Sequence, residues 1–155
     1  MKNIIIMCGI PGGGKSTWIR NNVPTLNTVV CSADHFFEDA NGNYNWQPDL
    51  LYPAHKTCYR KFMAALKDET VENIVVDNTN VKRASMRDYV EAANIHNIPV
   101  KIVALLADPD LAASRNVHNV PLETVRKMDA QLRNTLKIGF PAEWKISHRV
   151  EVVST

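Results

Sequence analysis

The stretch Gly9-Ile10-Pro11-Gly12-Gly13-Gly14-Lys15-Ser16 matches the phosphate-binding consensus Gly-x-x-x-x-Gly-Lys-Ser without a mismatch. Residues 3–8, which precede it, form a short apolar run that is typical of a buried parallel strand. Residues 16–20, which follow it, can open a helix. The stretch therefore predicts a strand, a phosphate-binding turn and a helix in immediate succession.

Each residue type in this turn, the P-loop of P-loop NTPases, has a part in phosphate chemistry. The three glycines let the backbone turn tightly and aim its N–H groups at phosphate oxygens, and the helix adds its positive N-terminal end. Lys15 supplies a mobile positive charge for the β- and γ-phosphates, and the Ser16 hydroxyl can bind Mg²⁺. An ordinary strand–turn–helix corner is the alternative, but a turn needs neither the lysine nor the hydroxyl. We therefore predict a site for ATP and Mg²⁺, with the nucleotide bound by Gly12, Gly13, Gly14, Lys15, Ser16 and Thr17.

Length and composition predict one ordinary globular domain over residues 1–155. The net charge of +2 is below that of a dedicated nucleic-acid binder, so charge permits a nucleic-acid substrate without indicating one. Three cysteines without paired spacing predict neither a disulfide framework nor a zinc site. The first apolar run is too short for a signal peptide, and no stretch reaches membrane-spanning length. We therefore expect a cytoplasmic protein without a membrane partner.

Apolar runs and helical periodicity alternate along the whole chain. Such alternation predicts an α/β fold with a parallel five-stranded sheet and helices on both faces, which is the P-loop NTPase fold. The last strand is expected at an edge of the sheet. Asp108-Pro109 predicts a helix start, and Gly139 predicts a helix end. The strands are predicted at 3–8, 28–32, 73–77, 100–106 and 147–153, and the other helices at about 53–67, 81–95 and 121–136.

Two acidic residues follow predicted strands, at the sheet edge where ligands bind in open α/β proteins. Asp34 is the candidate general base for a hydroxyl acceptor, although Asp34 or Ser32 could instead cap a short helix. Asp77 is the candidate metal residue, holding Mg²⁺ through water. It could also contact the acceptor, or close its strand with an Asx turn. In the same run, at least one of Thr79 and Asn80 is expected to cap the next helix.

Four further features have both a functional and a structural interpretation. Arg115, placed between two predicted helices, could stabilise the charge of a migrating phosphate or lie on a solvated helix face. The same choice is open for His118. Tyr44 and Trp46, in the long irregular stretch 37–49, could stack on a base or pack onto the core, and we slightly favour packing. Basic clusters could attract a polyanion, although such clusters are usually solvated; they are Lys56, Arg60 and Lys61, and Lys82, Arg83 and Arg87.

Together these positions resemble the polynucleotide 5′-hydroxyl kinases, especially the phage-type kinase domain. The matching pieces are Gly-x-Pro-Gly-Gly-Gly-Lys-Ser-Thr-Trp over 9–18, Asp34, Asp77-Asn78-Thr79-Asn80, Asp108-Pro109, and Arg115-Asn116 leading to Val120-Pro121. The resemblance implies a single P-loop kinase domain in which Lys15 and Ser16 bind ATP and Mg²⁺. It also implies that Asp34 activates the 5′-hydroxyl of a nucleic-acid end, and that Arg115 belongs to a lid over the phosphates.

The sequence departs from that family at two places. The phage enzymes carry an arginine three residues beyond the catalytic aspartate, where this chain has Phe37. Their lid is longer, whereas here it is shortened to Val117-His118-Asn119. The favoured hypothesis is therefore an ATP-dependent phosphotransferase acting on a DNA or RNA 5′-hydroxyl. The alternatives are a small-molecule or tRNA-linked kinase on the same fold, and a nucleotide-binding module with little catalysis.

Overall fold

Five parallel strands form one sheet in the computed structural model, which describes residues 2–153. The spatial order is β2-β3-β1-β4-β5, so the strand that leads into the P-loop lies at the centre and the last strand lies at an edge. The five strands are β1 (Asn3–Cys8), β2 (Thr28–Cys31), β3 (Asn73–Asp77), β4 (Val100–Leu106) and β5 (Ser147–Val152). This topology confirms the predicted α/β fold and the edge position of the last strand.

Helices connect the strands, as parallel pairing requires. They are α1 (Lys15–Asn22), α2 (Leu51–Lys67), α3 (Arg83–Ile95), α4 (Pro109–Arg115) and α5 (Leu122–Ile138). Short 3₁₀ helices lie at Ala33–Phe37, Pro48–Leu50 and Ala142–Trp144. No helix in residues 2–153 has both the length and the apolar character that a membrane span needs.

The two faces of the sheet are covered unequally, because side chains alternate along each strand. Ile4 and Ile6 of β1 point into the larger core cluster, which includes buried residues of α2, α3 and α5. Met7 points to the opposite face, where the cluster is smaller and receives α1 through Trp18 and Ile19. Helices thus lie on both faces, as predicted, and both sides of β1 are buried.

The residues predicted to mark helix ends are confirmed at the start of α4 and the end of α5, and the prediction for the start of α3 is wrong. Asp108 caps α4, since its carboxylate accepts from the backbone N–H groups of Asp110 and Leu111, and Gly139 ends α5. Helix α3 begins at Arg83 after Lys82, without a side-chain cap, so the expected capping by Thr79 or Asn80 is wrong. Asn80 instead turns inward and donates from Nδ2 to the Met7 carbonyl at 2.8 Å.

Candidate active site

A cleft of about 860 Å³ opens beyond the carboxyl ends of the strands, as expected for a parallel α/β sheet. Its floor is the P-loop. Asp34 and Asp77 line one side, and the lid loop, which we define as residues 116–121 between α4 and α5, lines the other with Arg115. The volume lies within the range of about 300–1,000 Å³ that is usual for small-molecule sites. The fold therefore brings the predicted site residues to one cleft.

The P-loop has the backbone conformation that its glycines permit. Gly12 and Gly14 have φ values of 74° and 98°, in the left-handed region where a Cβ is strained. A Cβ on Gly12 would also lie 2.0 Å from the carbonyl oxygen of Ala112 in α4. Glycine at position 12 is therefore required twice, once by the backbone conformation and once by the close approach of α4.

Lys15 lies over its own loop. Its Nζ donates to the carbonyl oxygens of Gly9 at 3.0 Å and Ile10 at 3.5 Å. Burial lowers the pKa of Lys15, while the negative charges of Asp77 and Asp34 act in the opposite direction. The ammonium group is thus available in a cleft that also holds two carboxylates, where a polyphosphate could replace the carbonyls as its partner.

Asp77 ends β3 with one carboxylate oxygen buried. Within residues 2–153, Oδ1 of Asp77 has no hydrogen-bond partner. Burial raises the pKa of Asp77, and the charge of Lys15 counteracts part of that effect. A buried acceptor without a donor is costly, and a hydrated cation would satisfy it. Since Asp77 and the exposed Ser16 line the same cleft, these two residues fit a Mg²⁺ ion that completes its shell with phosphates and water.

The residues after Asp77 hold the three neighbouring strand ends together. Asn78 accepts a hydrogen bond at its Oδ1 from the backbone N–H of Ala33, at 2.9 Å, which joins the ends of β3 and β2. The carbonyl oxygen of Thr79 accepts from the N–H of Gly9 at 2.9 Å, which joins β3 to the start of the P-loop. Residues 78 and 79 therefore have a structural role, because their hydrogen bonds fix Asp34 and the P-loop relative to each other.

Asp34 is placed by the 3₁₀ helix Ala33–Phe37. Ser32 caps that helix by accepting from the N–H of Asp34, so the Asp34 carboxylate does not act as the cap. The side chain is 50% exposed and faces the cleft. Its Oδ1 accepts from the Tyr44 hydroxyl at 3.0 Å, and its Oδ2 lies 3.5 Å from Nδ1 of His118. The carboxylate is thus accessible from the cleft and contacted at both oxygens.

The aromatic residues of the long irregular stretch 37–49 differ in how far they are buried. Phe37, at the position of the phage arginine, is buried and packs edge-on against Tyr44, with ring centroids 5.9 Å apart. Tyr44 packs against the core, as the favoured interpretation expected. Trp46 is 54% exposed and lines the cleft, so the expectation that it packs onto the core is wrong.

Arg115 lies in the last turn of α4 and not in the connection between α4 and α5, where the sequence had placed it. It is exposed and lines the cleft. Helix α4 is seated on the P-loop through the contact of its backbone with Gly12. The arginine is therefore carried by an element that touches the phosphate-binding loop directly.

Sequence reasoning did not find the contacts among Asp34, Tyr44 and His118. Tyr44 and His118 are 74 residues apart in the chain, yet their rings stack with centroids 3.8 Å apart and planes 5° from parallel. His55, from α2, also lines the cleft; burial lowers its pKa, and the charge of Asp34 opposes that change. No periodicity or motif predicts these contacts, because they join residues from separate irregular segments of the chain.

Residues 4–135 match the profile of a protein family described as an AAA domain. The chain belongs to this family of P-loop kinase domains. Human NEDD4-binding protein 2 is 29% identical over 108 residues, which are 69% of this chain and 6% of that protein. The bifunctional polynucleotide phosphatase/kinase of Schizosaccharomyces pombe is 28% identical over 111 residues, which are 72% of this chain and 23% of that protein. The match to this chain thus spans less than a quarter of the length of either relative.

Solved structures share the fold of this AAA domain. A chain in the Pnkp1/Rnl/Hen1 RNA repair complex superposes with a TM-score of 0.72 at 22% identity, and the match covers 90% of this chain and 46% of that chain. A gluconokinase from Sinorhizobium meliloti superposes with a TM-score of 0.57 at 16% identity, over 96% of this chain and 82% of that chain. The predicted resemblance is thus confirmed by the similarity to a polynucleotide phosphatase/kinase and by the shared fold.

Proposed function

We propose that this AAA domain is an ATP-dependent kinase that transfers the γ-phosphate to a hydroxyl acceptor, most favourably the 5′-hydroxyl of a DNA or RNA strand. The observation that carries the proposal is the half-exposed carboxylate of Asp34, which lines the same cleft as the P-loop lysine. A module that only binds a nucleotide has no need of an accessible carboxylate there. One relative is named as a polynucleotide phosphatase/kinase, and one chain of similar fold belongs to an RNA repair complex, which favours a polynucleotide acceptor.

The nucleotide phosphates would lie on the P-loop. Backbone N–H groups of Gly12, Gly13 and Gly14 would donate to phosphate oxygens, together with the first turn of α1 at Ser16 and Thr17. Lys15 would exchange its two loop carbonyls for the β- and γ-phosphates. Ser16 and Asp77 would hold Mg²⁺, which when bound neutralises phosphate charge and orients the phosphates.

Transfer needs a deprotonated acceptor oxygen in line with the bond that breaks. Asp34 would accept the proton of the acceptor hydroxyl while that oxygen forms its bond to the γ-phosphorus. The bond between the γ-phosphorus and the β–γ bridging oxygen breaks, and ADP leaves. Arg115 and Lys15 would stabilise the negative charge on the migrating group, which is the largest electrostatic demand of the reaction.

A small-molecule or tRNA-linked acceptor is the second candidate, and one observation favours it. Phe37 is buried where the phage enzymes use an arginine on the acceptor's phosphate, so this position supplies no cation to a polynucleotide. The similar fold of a protein named as a gluconokinase also supports this candidate. The two candidates share the nucleotide site and differ only in what lies beside Asp34.

Labelled ATP and a panel of acceptors test the proposal. The protein is incubated with γ-labelled ATP, Mg²⁺ and one acceptor at a time: single-stranded DNA and RNA with 5′-hydroxyl ends, a tRNA, and small sugar alcohols and nucleosides. We expect label on the 5′-hydroxyl oligonucleotides and none on matched oligonucleotides that already carry a 5′-phosphate. Label on a small alcohol or tRNA alone would favour the second candidate. ATP binding without label on any acceptor would overturn the kinase proposal.

A further inference from the structure

Both oxygens of Asp34 are engaged from different parts of the chain. The hydroxyl of Tyr44, from the loop after β2, donates to Oδ1 at 3.0 Å. Burial raises the pKa of Tyr44, and the charge of Asp34 and this hydrogen bond raise it further, so the phenol stays a donor. On the other side, Nδ1 of His118 in the lid loop lies 3.5 Å from Oδ2. The orientation of the carboxylate is therefore set by two side chains of which neither belongs to its own helix.

The two side chains also hold each other. The rings of Tyr44 and His118 are stacked almost parallel, with centroids 3.8 Å apart. Tyr44 is anchored in turn by Phe37 and by the antiparallel bridge between Glu38 and Tyr44. An aromatic stack of this kind stabilises a contact beyond the effect of the area it buries. The stack therefore attaches the lid loop to the side of the cleft that holds Asp34.

The lid loop presents His118 on a turn that is closed by a single residue. The side chain of Asn116 donates to the carbonyl oxygens of Ala113 at 2.9 Å and Val120 at 3.2 Å. Its Oδ1 accepts from the N–H of Val120 at 2.8 Å. Since the turn is fixed internally, the position of His118 is tied to the end of α4, which also carries Arg115.

We propose that Tyr44 and His118 are positioning residues that form a clasp on Asp34 and link its orientation to the lid loop. The proposal rests on the proposed function, in which Asp34 is the general base. A carboxylate offers about four lone-pair positions, so the clasp can occupy one on each oxygen and leave another to accept the proton of the acceptor.

Two conservative variants remove the polar contacts and keep the aromatic stack. Tyr44→Phe removes the hydroxyl on Oδ1, and His118→Phe removes the nitrogen near Oδ2. With γ-labelled ATP and a 5′-hydroxyl oligonucleotide, we expect each variant to lower kcat by about fivefold, the loss typical of one polar contact. The KM for ATP should stay within twofold, because neither side chain belongs to the P-loop. Tyr52→Phe and His148→Phe, which change exposed residues that do not line the cleft, are the matched controls.

An Asp34→Asn background separates this inference from the function on which it rests. Under single-turnover conditions with enzyme in excess, Tyr44→Phe and His118→Phe should cause no further loss in that background, since their effect passes through the carboxylate. If Asp34→Asn abolishes transfer but the two clasp variants retain wild-type kcat, the clasp is overturned and the proposed function stands. An equal loss in both backgrounds also overturns the clasp. Wild-type transfer by Asp34→Asn overturns the general base, and the clasp with it.

A measurement on the ring protons of His118 checks the clasp without any acceptor. Stacking on Tyr44 should shift the His118 ring resonances upfield in the proton NMR spectrum of the wild-type protein. Tyr44→Leu should return them toward the positions of an exposed histidine, while Tyr44→Phe should leave them in place. Resonances that do not move in Tyr44→Leu would show that the stack is absent in solution and would overturn the proposal.

Discussion

Lys15 is held by two carbonyl oxygens of its own loop, and burial lowers its pKa, so the protein keeps this charge at a cost in stability. Lys15→Ala should therefore weaken ATP–Mg²⁺ binding by about tenfold or more, since a charge-assisted contact to phosphate contributes at least about 1.4 kcal/mol. The melting temperature should stay level or rise. Isothermal titration with ATP–Mg²⁺ gives the affinity, with the exposed Lys82→Ala as control. Unchanged affinity together with unchanged turnover would place the nucleotide elsewhere.

Gly12 and Gly42 have similar backbone angles and different surroundings, which makes them a matched pair. Their φ values are 74° and 81°, but a Cβ on Gly12 would meet the Ala112 carbonyl at 2.0 Å, whereas nothing lies within 4 Å of one on Gly42. Gly42→Ala should cost about 1–2 kcal/mol of unfolding free energy from backbone strain alone. Gly12→Ala should cost more and also reduce ATP affinity, because α4 must move off the P-loop. Denaturant unfolding and titration with ATP measure both, and equal losses in the two variants would contradict the contact.

At the level of single residues, the sequence was a better guide to the chemistry of a side chain than to its contacts. The P-loop residues and the positions of Asp34 and Asp77 at strand ends followed from spacing, because parallel strands bring their carboxyl ends to one edge. The stack of Tyr44 on His118 did not follow, since it depends on how an irregular loop folds back. The capping role expected of Thr79 or Asn80 was wrong, because the buried Met7 carbonyl offered Asn80 a competing partner.

Helix α4 and the lid loop form the element that should respond to the nucleotide. Arg115 is exposed in the last turn of α4, whose backbone contacts Gly12 of the P-loop. Arg115→Ala should lower kcat by about 10²-fold or more and raise the KM for ATP much less, because the charge that it meets develops during transfer. Steady-state kinetics over a range of ATP concentrations separate the two constants. A change in KM alone would make Arg115 a binding contact, and no change would make it a solvated helix residue.

The helices themselves were predictable where local chemistry sets their ends. Asp108-Pro109 and Gly139 mark true ends of α4 and α5, because a carboxylate cap and a left-handed glycine act within a few residues. The start of α3 was predicted two residues early, at Val81, because that valine is buried as if it belonged to the helix. Its burial comes from the chain entering the core before the helix begins, which periodicity cannot distinguish from a first turn.

Over the whole molecule, the order of the strands explains how distant parts of the chain meet at one cleft. The central position of β1 places the P-loop beside the ends of β3 and β4, and β3 places Asp77 between the P-loop and Asp34. Alternation in the sequence predicted the parallel sheet and its covered faces. It did not predict that the long loop after β2 would reach the lid, since that contact joins segments that share no sheet register.

The central claim is that Asp34 takes a proton from a hydroxyl acceptor, and Asp34→Asn tests it most directly. Asparagine keeps the shape of the side chain, can still accept from Tyr44, and leaves the helix cap intact because Ser32 provides it. The measurement is the single-turnover rate of label transfer from γ-labelled ATP to a 5′-hydroxyl oligonucleotide, with ATP affinity and melting temperature measured beside it. We expect a loss of at least about 10²-fold, or about 2.7 kcal/mol of barrier, with affinity and stability nearly unchanged. Transfer within a few-fold of wild type would contradict the claim and make Asp77 the next residue to test.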